Sequence, residues 1–279
     1  MKVVEQYGRP AWVIGSPISH TLSPPIHNSA FQKSSLAHRY FAMEVEKNEL
    51  SEFLTLFRKI DALGANLTIP LKEAVTGEIT NHTESVNQLG AANTLFWDGS
   101  ELVLDNTDVY GFSELIRPWK DEISEVPVCM MGAGGAAKAC LYALGNLSVP
   151  RVYLWNRTYE RAVRLRERFS YLDIEVVSRD QLEQGVFEGS VVINATSLGL
   201  EETDPSPFPT EAIREHMIGV DLIYHHETRF MSAFSRRGKE SAGGLTMLVC
   251  QAAKAWEHWT GVEPPVDEMM NTARSRLRE

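Results

Sequence analysis

Two stretches of the sequence combine residue types that could do chemistry. In "GANLTIPLKE", residues 64–73, Lys72 sits two places after Pro70, behind a short apolar run whose only polar groups are Asn66 and Thr68. Sheet interiors rarely tolerate proline, so the run reads as a strand that ends at Pro70 and points a lysine at something. An ammonium there can stabilise negative charge developing on an oxygen and deliver a proton to it. The second stretch, Gly132-Ala133-Gly134-Gly135-Ala136-Ala137, matches GxGxxA. The first glycine serves the turn, the second the close approach of a pyrophosphate, and the small third position helix packing. Glycines also serve plain turns, but this match follows a strand expected over 126–131 and opens a helix, the context a dinucleotide loop requires. At the next strand end the chain reads Asn156-Arg157-Thr158, with Arg161 one helical turn on and no acid at the tip. An acid here would bond a ribose 2′-hydroxyl, whereas arginine accommodates a 2′-phosphate, and two guanidinium groups can face one dianion. The chemistry points to NADP rather than NAD.

Alternating strand and helix patterns must position these groups, and they run the length of the chain. "AWVIG" reads as a strand and "SPPIHNSAFQKS" as a helix with Ser23 as N-cap and proline in its first turn. "YFAMEV" is a second strand. "NELSEFLTLFRKI" is an amphipathic helix with Leu50, Phe53, Leu54 and Phe57 on one face, and "GANLTIP" is a third strand. "AANTLFW" and "ELVLDNTD" form a hairpin turning at Asp98-Gly99. From about residue 110 the pattern becomes a doubly wound nucleotide-binding domain: the strand before the glycine loop, then "RVYLWNRT", "VVINATS" and "GVDLIY". The helices from "TMLVCQAAKAWEHWTGV" onward have no further strand to serve and could pack back on the first domain. The expectation is an α/β fold of two domains. Residues 1–109 with 245–279 form an α/β substrate-binding domain, and 110–244 an inserted Rossmann-like NADP domain.

Composition narrows the function classes. The chain has 279 residues, 43% hydrophobic and 23% charged, which suits a globular protein of two domains. No segment approaches the roughly 20 apolar residues that cross a bilayer, and the opening "MKVVEQYGRPAWVIGSP" reads as the first strand rather than a leader. Net charge is −10, and the densest basic stretch, "RAVRLRERF" with Arg161, Arg164, Arg166 and Arg168, reads as a solvated helical face rather than a nucleic-acid surface. Cys129, Cys140 and Cys250 lie in apolar runs without CxxC spacing, as small buried hydrophobes of a reducing compartment. Eight histidines show no HExxH or Cys/His cluster, so no metal is expected. A cytoplasmic enzyme follows, with a small molecule as its partner, no nucleic acid and no membrane, and a homodimer as the one assembly entertained.

The motifs "GSPISHTLSPPIHN", "GANLTIPLKE", "GAANT", "DNTD", "GAGGAAKA", "NRTYERA", "INATSLG" and "GGLTMLVCQAA", in this order and spacing, resemble the shikimate dehydrogenases over the full length of the chain. The resemblance implies reversible reduction of 3-dehydroshikimate to shikimate with NADPH, in aromatic amino acid (chorismate) biosynthesis. It implies a cleft where the two domains meet, with Lys72 as catalytic lysine and Asp108 as its aspartate partner. Thr21, Ser23, Thr68, Asn93, Asp108, Tyr224 and Gln251 match substrate-binding positions. Gly132, Ala133, Gly134, Gly135, Ala136, Asn156, Arg157, Thr158, Arg161, Thr196, Leu222 and Gly244 match cofactor positions, with Glu84 and Met247 placed on the same side. Hydroxyls at Thr21 and Ser23 beside a helix N-terminus suit a carboxylate, while Asn93, Thr68 and Gln251 can fix ring hydroxyls. Three departures stand out: Thr21 where most members have serine, a "YHHETRF" loop one residue short and without its usual proline, and Gly243.

Taken singly, each residue has a plainer role: Lys72 as an exposed lysine capping a strand, Asp108 as an Asx turn or helix N-cap, and Asn93 as a turn asparagine. As one aligned set, the chemical roles prevail. Two alternatives remain open: a quinate or broader-specificity dehydrogenase of the same fold, and a non-catalytic NADP-binding sensor.

Overall fold

A computed structural model of the chain describes residues 8–19, 21–185 and 191–278; the start of the expected first strand segment, residues 1–7, and His20 of the first motif lie outside them. Among the described residues there are twelve strands and twelve α-helices. The strands are β1 Pro10–Gly15, β2 Arg39–Glu44, β3 Gly64–Leu67, β4 Asn81–His82, β5 Thr94–Asp98, β6 Glu101–Asp105, β7 Val128–Met131, β8 Val152–Trp155, β9 Ile174–Val176, β10 Val191–Asn194, β11 Ile218–Asp221 and β12 Glu240–Gly243. The helices are α1 Ser23–Lys33, α2 Leu50–Lys59, α3 Leu71–Ala74, α4 Glu84–Leu89, α5 Asp108–Ile116, α6 Lys120–Glu125, α7 Gly135–Asn146, α8 Tyr159–Arg168, α9 Arg179–Gln184, α10 Arg229–Arg237, α11 Leu245–Thr260 and α12 Val266–Arg276. The chain divides into two compact units: Met1–Gly111 with Leu248–Glu279, and Phe112–Met247.

The first unit is built on a mixed sheet of order β2-β1-β3-β5-β6-β4. β1 pairs parallel with β2 and β3, whereas β5 runs antiparallel to β3 and to β6. That topology brings the C-terminal ends of β1, β3 and β6 and the start of β5 to one edge. The apolar stripe of α2 is buried at Leu50, Phe53, Leu54 and Phe57, against Trp12, Leu67 and Leu95 among others. Each such burial contributes about 1.5–3 kcal/mol. α11 lies so close to β3 that a methyl on Gly64 would fall 2.0 Å from the Trp259 indole nitrogen, which itself donates to the Leu95 carbonyl at 3.0 Å. This is why β3 begins on glycine. The β5–β6 hairpin pairs Asp98 with Glu101, so its two-residue turn is Gly99-Ser100, one place beyond the expected Asp98-Gly99. Gly99, with φ of +60°, takes the position that needs glycine.

The second unit carries a six-stranded parallel sheet of order β12-β11-β10-β7-β8-β9. Numbered within the unit, this is 3-2-1-4-5-6 read from the other edge, the doubly wound order whose reversal lies between β7 and β10. Ligands of such sheets bind outside the carboxyl ends of the strands at that reversal. Its central strands β7 and β10, Val128–Met131 and Val191–Asn194, are short runs buried throughout, as in parallel sheets covered on both faces.

Candidate active site

The sheet edge of the first unit gathers the expected catalytic groups. β3 ends at Leu67, and the chain turns through Thr68, Ile69 and Pro70 into α3, which carries Lys72. The lysine is therefore on a helical turn just past the strand, not on the strand end itself. Its carbonyl accepts the Ala92 amide at 2.8 Å, which ties it to the segment entering β5. Asp108 opens α5, where the helix dipole favours a carboxylate. Lys72 Nζ donates to Asp108 Oδ2 at 2.5 Å, and Asn93 Nδ2 donates to Asp108 Oδ1 at 2.8 Å. Both carboxylate oxygens are engaged, yet the lysine side chain keeps 25% of its surface exposed. An ammonium has three donors, so the bridge leaves others for a ligand oxygen.

Asn93 is the hub. Its side-chain oxygen accepts from the Thr107 amide, the Thr107 hydroxyl and the Thr94 hydroxyl, at 2.8, 3.1 and 2.9 Å. Its amide also reaches Gln251 Oε1 at 3.4 Å, and Gln251 in turn donates to the Leu248 carbonyl. Beneath it, Tyr40 donates to Asn66 Oδ1 at 2.7 Å, and Asn66 donates to the Asn93 carbonyl and the Thr94 hydroxyl. Tyr40, Asn66, Thr94 and Thr107 form a buried polar layer that residue-type reasoning did not single out. The available signal was Asn66, a polar group inside a strand that is otherwise wholly apolar. Burial pushes the Tyr40 phenol well above its ordinary pKa, opposed by a hydrogen bond with the Ser23 side chain, so the layer is neutral.

Thr21 and Ser23 lie where β1 leads into α1. Ser23 is not the N-cap: it is the first helical residue, Leu22 holds the cap position, and the Ser23 amide donates to Thr21 Oγ1 at 3.2 Å. Pro24 and Pro25 have no N–H, so the first turn of α1 offers few backbone donors. The polar groups this turn offers are the Thr21 and Ser23 hydroxyls rather than a row of helix amides. Thr68 is half-buried, its amide donates to the Ile14 carbonyl, and its methyl crowds Gly15. Glu84 is also in this unit, exposed on α4 and accepting from Gln88.

The second unit gathers the expected cofactor residues at the carboxyl ends of its strands. Gly132, φ +112°, is buried, and a methyl there would lie 2.4 Å from the Ala195 carbonyl oxygen. Gly134 and Gly135 are the reverse case: a methyl on either would meet nothing within 4 Å. Gly134 caps α7 without a side-chain acceptor, and the first turn holds no acid. Bare amides at the start of a helix twelve residues long, facing open space, fit a pyrophosphate. Ala133 and Ala136 are small flanks of the same turn. Thr196 is held by Asn194, which accepts from its amide and hydroxyl at 3.0 and 2.7 Å. The Leu222 amide donates to the Asn194 carbonyl, and a methyl on Gly244 would lie 2.1 Å from the Leu222 oxygen. Gly132, Thr196, Leu222 and Gly244 are thus packed around one strand edge. Asn156 donates to the Thr158 carbonyl at 2.8 Å, shaping the tip of β8, where Arg157 and Arg161 are exposed. Met247 is buried at the start of α11. Tyr224 is half-buried in the loop after β11, its ring packed on His225 at 4.1 Å, and burial raises its pKa.

Cys129 and Cys140 are buried, and Cys250 is partly exposed. Among the described residues no helix is long and apolar enough to cross a membrane.

Comparison with known proteins gives concordant matches along the chain. Residues 13–95 match the shikimate dehydrogenase substrate binding domain, 114–201 the shikimate / quinate 5-dehydrogenase family, and 244–274 the shikimate 5′-dehydrogenase C-terminal domain. A shikimate dehydrogenase (NADP(+)) of Aquifex aeolicus is 33% identical over 253 residues, 91% of each chain. One of Paracoccus denitrificans is 37% identical over 272 residues, 94% of each chain. The crystal structure of shikimate 5-dehydrogenase from Thermus thermophilus in complex with NADP(H) and shikimate superposes with a TM-score of 0.86 at 33% identity, covering 96% of this chain and 99% of that one.

Proposed function

The chain belongs to the shikimate dehydrogenase family, and from that premise we propose that it is an NADP-dependent oxidoreductase interconverting 3-dehydroshikimate and shikimate. In this reading the first unit binds substrate and carries the catalytic residues, and the second binds NADP. The observation that carries the reading is the Lys72–Asp108 pair at 2.5 Å, braced by Asn93 at a polar sheet edge and still partly exposed.

NADPH, when bound, would supply the hydride in the reducing direction, and NADP+ would accept it in the oxidising one. The chain's own residues manage the proton. As the carbonyl carbon gains the hydride, the C=O pair moves onto oxygen, and the Lys72 ammonium stabilises that charge and gives the oxygen its proton. In the oxidising direction the lysine takes the hydroxyl proton back. Asp108 holds the ammonium in place through Oδ2 while Asn93 occupies Oδ1, which fixes the carboxylate against rotation. Thr21 and Ser23 take the substrate carboxylate through their hydroxyls, and Thr68, Asn93, Gln251 and Tyr224 take ring hydroxyls. In the second unit the amides of Gly134 and Gly135 take the pyrophosphate and Arg157 with Arg161 the 2′-phosphate. Asn156 and Thr158 hold that tip, and Thr196, Leu222, Gly244 and Met247 form the wall at the strand ends. Glu84 of the cofactor set belongs to the first unit, and Tyr224 of the substrate set to the second.

Initial rates with shikimate and quinate, each with NADP and NAD, test the reading. The expected result is the highest kcat/KM for shikimate with NADP. A higher kcat/KM for quinate would replace it with a quinate dehydrogenase, and cofactor binding without turnover with a sensor.

A further inference from the structure

His258 is buried to 19% side-chain exposure on α11, and neither the motifs nor the reaction above use it. Its Nε2 lies 2.8 Å from Asp105 Oδ2, and its ring stacks on Phe96, with centroids 4.3 Å apart and planes 15° from parallel. An ionised carboxylate only accepts, so the imidazole carries its hydrogen on Nε2. Asp105 ends β6, three residues before Asp108. Its other oxygen accepts from the Asn106 amide, the Thr83 hydroxyl and the Ser85 hydroxyl at 2.7, 2.8 and 2.9 Å. Burial works to raise the Asp105 pKa, but these donors and His258 outweigh it and hold it at about 2. The carboxylate is a fixed, charged knot.

The knot is continuous with the catalytic pair. The Asp105 carbonyl accepts the Asn93 amide at 3.1 Å, Asn106 Nδ2 donates to the Ala91 carbonyl at 2.9 Å, and Thr107 donates twice to Asn93 Oδ1. Residues 105–107 are therefore laced to 91–93, and Asn93 braces Asp108. His258 is seven residues after Gln251, so both lie on one face of α11, about 10 Å apart along its axis. One helix grips the lacing at both ends: Gln251 at Asn93, His258 at Asp105.

We propose that His258 is a positioning residue for the Lys72–Asp108 pair, acting through Asp105 to fix the segment that joins β6 to α5. The inference rests on the assignment of Lys72 and Asp108 as the catalytic pair. Displacing a catalytic group by 1 Å can cost about 10²-fold in rate, and loosening a segment three residues away is expected to cost about tenfold.

His258→Phe keeps the stack on Phe96 and deletes the donor, whereas His258→Gln keeps a donor near the Nε2 position and deletes the ring. The expected result is a kcat about tenfold lower for His258→Phe, an unchanged KM for NADP, and a kcat within about twofold of wild type for His258→Gln. In His258→Phe the Asn106 and Thr107 amides should also exchange hydrogen faster. Full activity in His258→Phe, or an equal loss in both variants, would overturn the proposal, because a packing role alone predicts no rescue by glutamine. Should His258→Phe not fold, Asp105→Ala removes the acceptor and cuts the same link from the other side, and unchanged kcat there would overturn it. A wild-type chain without shikimate oxidation would fault the assigned reaction alone, and amide exchange would then decide the positioning: unchanged exchange in His258→Phe overturns it.

Discussion

His27, on α1, is expected to set part of the acid stability of the first unit. The residue is fully buried, stacked on Tyr40 at 4.3 Å with Trp259 5.0 Å away, and neither ring nitrogen has a hydrogen-bond partner. Burial lowers its pKa from 6.5 to about 3. The sign follows from linkage: the folded chain holds the imidazole neutral, while the unfolded chain takes up a proton below 6.5. Stability from this group is therefore complete above that value and falls as pH drops toward about 3. At pH 5 the unfolded form is favoured by about 1.5 pH units at about 1.4 kcal/mol each, or about 2 kcal/mol. Asp105 does not interfere, since its stabilisation is lost only as pH falls below its ordinary 3.8 toward about 2. His38, whose pKa burial also lowers, contributes in the same window, so the variant must be compared with wild type at both pH values. His27→Leu removes the titrating group with little change of volume. Urea unfolding at pH 7 and pH 5, followed by tryptophan fluorescence, is the assay. Trp12, Trp97, Trp256 and Trp259 report on the first unit, and only Trp119 and Trp155 on the second. Wild type is expected to lose about 2 kcal/mol more than His27→Leu between the two pH values. Equal losses would refute the reasoning, because His27 would then be protonated in the folded chain as readily as in the unfolded one.

The glycine loop separates binding from folding. Gly135→Ala places its methyl in open space, so thermal stability should hold while the Kd for NADP rises. Gly132→Ala meets a backbone oxygen at 2.4 Å with φ at +112°, and is expected to lower stability by about 1–3 kcal/mol or more, read as a fall in Tm. Arg157→Ala is expected to weaken NADP far more than NAD, measured as the ratio of the two Kd values. Equal weakening would remove the 2′-phosphate contact.

Much of the site was legible because its chemistry is concentrated in short motifs. β3 ends at Leu67, and Pro70 caps the short helix that carries Lys72, while the glycines mark the β7–α7 turn through conformational needs that few other residues meet. What was not legible depended on distant partners. Ser23 before two prolines carries every local mark of an N-cap, yet Thr21 accepts its amide, and only the folded turn shows this. β12, Glu240–Gly243, has no apolar alternation; it exists because β11 presents an edge to it. Asn66 and Tyr40 read as strand residues, and their hydrogen bond joins positions 26 apart in sequence. His258 meets Asp105 across 153 residues, a pairing that no local period encodes.

The central claim is that Lys72 moves the proton while Asp108 holds it in place. Steady-state kinetics of Lys72→Ala with shikimate and NADP test it most directly. The account predicts a kcat lower by about 10²–10⁴, the range for a lost general acid or base, with KM for shikimate changed much less. A kcat near wild type with a raised KM would contradict it and make Lys72 a binding residue.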